Sequence, residues 1–121
     1  MAKILVVDDD ETVTQLLKML LSMEGHQPTA INDSNETLAV ADQLHPDLIT
    51  LDLMMPGLTG FELCELLHQD PRFRNIPILI LSARDDVESK EKAYQSGAWG
   101  YITKPFGVDT LIQKIKELTN S

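Results

Sequence analysis

The strongest constraint in this chain is a rhythm: a short apolar run followed by a longer stretch of helical period, five times over, with no repeat, low-complexity tract or linker between. The apolar runs fall at residues 4–7, 29–31, 48–51, 78–81 and 99–102, the second being the weakest. Most are continuously apolar rather than alternating, so both faces of each strand need covering. That pattern suits parallel strands sandwiched between helices. A chain of 121 residues has room for one such core, and a single domain over residues 1–121 is expected.

Between the runs, Val13, Leu16, Leu17, Leu20 and Leu21, and later Val108, Leu111, Ile112 and Ile115, keep the i, i+3, i+4, i+7 spacing of a buried helix face. Asp33 with Glu36, and Thr59 with Glu62, have capping-box spacing at the starts of the second and third helices. Gly25 and Gly97 stand where helices stop. The third helix is expected to bury Phe61, Cys64 and Leu67. The fourth, roughly residues 85–96, offers only Val87, Ala93 and Tyr94, and is expected to be the least firmly anchored. Five βα units joined by right-handed crossovers predict an α/β, flavodoxin-like, doubly wound domain with a five-stranded parallel sheet of order 2-1-3-4-5.

Composition excludes several classes. Hydrophobic residues make up 43% and charged residues 24%, which fits a folded globular chain. No apolar run is long enough to span a bilayer, and the one after Met1 is too short for a secretion signal, so a cytoplasmic location is expected. The net charge of −9, with only 10 dispersed Lys and Arg, argues against direct nucleic-acid binding. Cys64 is the single cysteine, and His26, His45 and His68 lack ligand spacing. A disulfide or zinc site is therefore not expected, and Cys64 reads as a small core residue.

In open parallel sheets, ligands bind beyond the carboxyl ends of the strands. Asp8, Asp9 and Asp10 follow the first run, Asp52 the third, Ser82 the fourth and Lys104 the fifth. All should meet at one sheet edge. Three carboxylates brought together raise one another's pKa unless a cation intervenes. Magnesium takes a few carboxylates, keeps waters and accepts phosphate oxygens, so the cluster suits phosphoryl chemistry. Asp52 would be the nucleophile, with Lys104 and Ser82 donating to the oxygens of the transferred group. Singly each residue has a plainer role: Asp9 or Asp10 as a helix N-cap, Ser82 as a turn residue, Lys104 as a solvated charge.

In order and spacing, Lys3-Ile4-Leu5-Val6-Val7-Asp8-Asp9, Asp52-Leu53-Met54-Met55-Pro56-Gly57, Leu81-Ser82-Ala83 and Tyr101-Ile102-Thr103-Lys104-Pro105-Phe106 resemble the motifs of response-regulator receiver domains of two-component systems. The resemblance spans nearly the whole chain. It implies that Asp8, Asp9, Asp52 and the backbone carbonyl of Met54 hold Mg2+, with Mn2+ as a substitute, and that Asp52 takes a phosphoryl group. The donor would be a sensor histidine kinase or a histidine phosphotransfer protein. Ser82 and Tyr101 would form the conformational switch toward a downstream effector, with phosphorylation-dependent self-association a further outcome. A cis Lys104-Pro105 bond is also implied. Met54 and Arg84 occupy positions that modulate hydrolysis in similar proteins. Trp99-Gly100 replaces the acidic residue usual in relatives that dimerise through a charged helix-strand-helix network, which argues against that dimer mode.

A different class shares part of the pattern. Asp8-Asp9-Asp10-Glu11-Thr12 resembles the D-x-D-x-T nucleophile motif of haloacid-dehalogenase-type phosphatases, which would make Asp8 the acceptor. That reading lacks the acidic pair after the lysine, offering only Asp109, and leaves Asp52 without a role. A flavodoxin-like cofactor binder needs a phosphate-binding glycine loop where this chain places carboxylates. Finally, strand alternation puts Trp99 and Tyr101 on one side, beside the weakly anchored fourth helix, so this face is the expected output surface, with Trp99 partly exposed.

Overall fold

The computed structural model describes residues 2–119. Met1, Asn120 and Ser121, the outermost residues of the expected domain, lie outside the described residues. The order of elements is β1 (Lys3–Val7), α1 (Glu11–Met23), β2 (Gln27–Ile31), a 3-10 turn (Ser34–Glu36), α2 (Thr37–Leu44), β3 (Leu48–Leu51), α3 (Gly60–Gln69), β4 (Ile78–Ser82), α4 (Val87–Gln95), β5 (Gly100–Thr103) and α5 (Val108–Leu118). All neighbouring strands run parallel in the order β2-β1-β3-β4-β5, as expected.

Successive strand residues point to opposite faces and build two cores. Leu5, Val7, Ile49, Leu51, Ile78 and Ile80 meet Ala41 of α2, Leu63, Cys64 and Leu67 of α3, and Ala93 of α4. Ile4, Val6, Leu48, Leu79, Leu81 and Ile102 meet Leu17 and Leu21 of α1 and Leu111 and Ile115 of α5. The central strands are therefore buried on both sides, which is why their runs are continuously apolar. Among the described residues, no helix is long and apolar enough to cross a membrane.

Local chemistry sets most boundaries. Asp10 caps α1 by accepting from Thr12 N, its plainer expected role. Thr59 and Glu62 form the expected reciprocal box. Gly25 (φ 87°) and Gly97 (φ 114°) take the left-handed conformation that ends α1 and α4. The Lys104-Pro105 bond is cis.

Other expectations need correction. β2 begins earlier, at Gln27, and includes Pro28, because an edge strand can spare one N–H. β5 begins at Gly100, one residue late, although Trp99 N still donates to Ile78 O at 2.8 Å. Asp33 caps the 3-10 turn through Asn35 N, and α2 starts after it without a side-chain cap. On α3 the buried set is Leu63, Cys64 and Leu67, whereas Phe61 is half-covered beneath Lys92, 4.5 Å from its ring centroid. On α1, Leu16 is exposed, and only Leu17 and Leu21 of the expected stripe are fully buried.

Candidate functional site

Strand register brings the site together. Val7 pairs with Leu51, so Asp8 and Asp52 leave adjacent strand ends side by side, and Asp52 N donates to Val7 O at 3.1 Å. Ser82, expected just after β4, is its last residue and pairs with Thr103. Lys104 follows directly, its N–H donating to Ser82 O at 2.7 Å. Gly60, at the start of α3, lies against the backbone carrying Asp52: a Cβ there would collide with the Asp52 carbonyl and sit 2.6 Å from Leu53 Cα.

Asp8, Asp9 and Asp52 each present one carboxylate oxygen, and these lie within 4.8 Å of one another. Asp8 is 2% exposed and Asp52 8%, while Asp9 faces solvent. Lys104 Nζ donates to Asp8 Oδ2 at 2.7 Å and stands 3.9 Å from Asp52 Oδ1. Asp8 Oδ1 accepts from Asp10 N at 2.9 Å. The Asp52 carboxyl is held above the usual carboxylate range, first by burial and then by the charge of Asp8, against the lowering effects of Lys104 and the Met54 N–H. That N–H reaches Asp52 Oδ1 at 3.4 Å, while the Met54 side chain is 58% exposed. One lysine thus stands beside two of the three clustered carboxylates, leaving an excess of negative charge and hard oxygen ligands, the donor set of a divalent cation site.

The Ser82 residue is fully buried, and its Oγ accepts from Arg84 N at 3.2 Å. Arg84 O accepts from the Tyr101 hydroxyl at 2.6 Å. The two expected switch residues are therefore linked through the backbone of Arg84. Tyr101 is half-buried, with Lys90 5.8 Å from its ring centroid. Asp109, the remaining acidic residue in the phosphatase reading, is exposed in the first turn of α5. Cys64 is wholly buried, and burial pushes its thiol up to about 12, so it is an inert core residue.

Sequence reasoning passed over Asn32. Its Nδ2 donates to Asp8 O at 2.9 Å and to Thr14 Oγ1 at 3.0 Å. The available signal was its place just past the carboxyl end of β2, the same rule that located the aspartates.

Residues 4–116 match the family model of the response regulator receiver domain. The chain belongs to that family. The receiver is 39% identical over 118 residues to the DNA-binding dual master transcriptional regulator RpaA of Synechocystis sp., covering 98% of the chain and 49% of RpaA. It thus spans about half the length of that relative. Among solved structures, the chemotaxis protein CheY4 of Vibrio cholerae superposes with a TM-score of 0.92 at 32% identity, over 98% of both chains. The receiver domain of Francisella response regulator 1452 also gives 0.92, at 36% identity, over 99% of this chain and 98% of that one.

Proposed function

We propose that this receiver accepts a phosphoryl group on Asp52 from a phosphohistidine of a sensor histidine kinase or a histidine phosphotransfer protein, and then signals to a downstream effector. The observation that carries the reading is the meeting of Asp8, Asp9 and Asp52 within 4.8 Å, with Lys104 beside them. Three hard-oxygen donors, one facing solvent where waters can complete an octahedron, fit magnesium, and manganese by the same ligands. Asp8, Asp9, Asp52 and the Met54 carbonyl would hold it. A bound magnesium ion supplies charge neutralisation for the carboxylates and the incoming phosphoryl oxygens.

The chain's own groups do the rest. An Asp52 oxygen bonds to phosphorus as the phosphorus–nitrogen bond of the donor breaks, and the electron pair leaves on the imidazole nitrogen, which takes a proton. Lys104 and Ser82 donate to phosphoryl oxygens. Water later attacks the phosphorus of the acyl phosphate, the bond to the Asp52 oxygen breaks, and inorganic phosphate leaves as the carboxylate is restored, so the domain assists its own modification and its removal. Ser82 Oγ, which would donate to the phosphoryl group, accepts from Arg84 N, and Arg84 O is also the anchor of Tyr101. That shared residue supports a coupled Ser82–Tyr101 switch, with effector binding or self-association as its outputs. With a net charge of −9, nucleic acid would be contacted by another domain or partner, in the cytoplasm.

The test is intact-mass measurement after incubation with magnesium and a small phosphodonor. One phosphoryl adduct on the parent and none on Asp52→Asn is expected. Equal labelling of the variant would move the acceptor elsewhere, and an adduct mapped to Asp8 would favour the phosphatase chemistry.

A further inference from the structure

The three consecutive carboxylates of Asp8, Asp9 and Asp10 sit on one short connection between β1 and α1. Like charges so close drive a loop apart unless something holds its backbone. The structure shows what does. Asp8 N donates to Ile31 O at 3.3 Å, and Asp8 O accepts from Asn32 Nδ2 at 2.9 Å, so the end of β2 grips the peptide groups on both sides of Asp8. The other hydrogen of the Asn32 amide goes to Thr14 Oγ1 at 3.0 Å, and Thr14 passes its own hydrogen to Glu11 O at 3.0 Å. The chain of bonds from Asp8 O through Asn32 and Thr14 to Glu11 O spans the acidic connection from one end to the other. Thr14 is buried at 2% exposure, so its hydroxyl is not free to exchange these partners for water.

We infer that Asn32, with Thr14, is a positioning residue for the cation site, clamping the 8–11 backbone so that the Asp8 and Asp9 carboxylates are held toward Asp52. The inference rests on the reading of Asp8, Asp9 and Asp52 as that site. Asn32 is needed as an amide because both of its N–H groups donate, one to a carbonyl and one to a hydroxyl already committed as a donor. Aspartate has the same shape and no donor. It would also add a negative charge beside the carboxylates, and simple electrostatics would then tighten cation binding. Position and charge therefore pull in opposite directions at one site.

The experiment titrates magnesium alone into the parent, Asn32→Ala, Asn32→Asp, Thr14→Val and Thr14→Ser by calorimetry, and follows amide hydrogen exchange of residues 8–14 in the magnesium-free proteins. Asn32→Ala is expected to bind magnesium about 10-fold more weakly. Asn32→Asp is expected to bind more weakly than the parent despite its added charge. Thr14→Val should lose part of the affinity and Thr14→Ser should keep it. Exchange of residues 8–14 should quicken in Asn32→Ala. Tighter magnesium binding by Asn32→Asp, or parent-like affinity in Asn32→Ala, overturns the inference. Should the Asn32 variants not fold, indistinguishable affinities for Thr14→Val and Thr14→Ser overturn it instead. Absence of magnesium binding in the parent is the separate failure of the cation reading. The exchange rates then decide the clamp alone, and unchanged rates in Asn32→Ala overturn it.

Discussion

Lys104 shows how one residue serves opposed demands. Its ammonium is the near partner of a buried Asp8 carboxylate at 2.7 Å, a charge-assisted bond worth about 1.5–3 kcal/mol. With a divalent ion present, the same charge repels it. Lys104→Ala is therefore expected to lower the thermal stability of the magnesium-free protein, to bind magnesium several-fold more tightly, and to lose the conformational response to phosphorylation. Calorimetry and amide exchange across α4 before and after labelling check all three, and a parent-like response would remove Lys104 from the switch. The residues at this edge were legible because each stands at or just past a strand end, and Asp8, Asp52 and Lys104 need only the pairing of Val7 with Leu51 and Ser82 with Thr103 to meet. Asn32 was not legible, because an asparagine after a strand is usual turn chemistry and its two partners are 24 and 18 residues away.

Among the elements, α3 carries the clearest local signal, and its start supports the loop that presents Asp52 through Gly60. Thr59→Ala removes the cap, and a loss of about 1 kcal/mol is expected, roughly 4 °C in a thermal melt. The Glu62 carboxylate is held below its ordinary value by hydrogen bonds from Thr59. A depressed acid favours the folded state above its unfolded value, and that contribution fades as pH falls through the folded one. Glu62→Gln keeps the acceptor and loses the proton equilibrium. The parent's advantage in melting temperature at neutral pH should thus vanish in acid, and a constant difference down to about pH 3 would count against the box as a charged interaction. Sequence spacing found this box because both partners are local. The same spacing at Asp33 and Glu36 misled, since a 3-10 turn intervenes before α2 and uses the cap itself. Phe61 and Leu63 were exchanged for a similar reason: the covered face of α3 depends on where α4 lies, and Lys92 occupies the Phe61 ring.

For the molecule as a whole, the fold was legible because continuous apolar runs report burial on both sheet faces, and five of them leave few topologies. Its meagre apolar face also marked α4 as the least firmly anchored helix, and the packing agrees. Helix α5 inserts Leu111 and Ile115, each contributing about 1.5–3 kcal/mol, whereas α4 buries only Ala93 as an apolar side chain. Lys90 over Tyr101 and Lys92 over Phe61 add about 0.5–1 kcal/mol each. Beside this lightly held helix Trp99 stands 49% exposed, as expected, although it precedes β5 instead of opening it. Trp99→Ala should leave Asp52 labelling and folding near parent levels while weakening association with an effector or a second copy, measured by light scattering and titration. Joint loss of fold and labelling would make the tryptophan structural. A helix seated by charge over rings, with one methyl beneath it, has a further property. Lifting it releases a single buried apolar side chain of its own, and urea acts in proportion to newly exposed surface. Amide exchange along α4 should therefore stay flat across dilute urea while that of α5 rises steeply, so the part of this domain most ready to move is the part a denaturant scarcely senses.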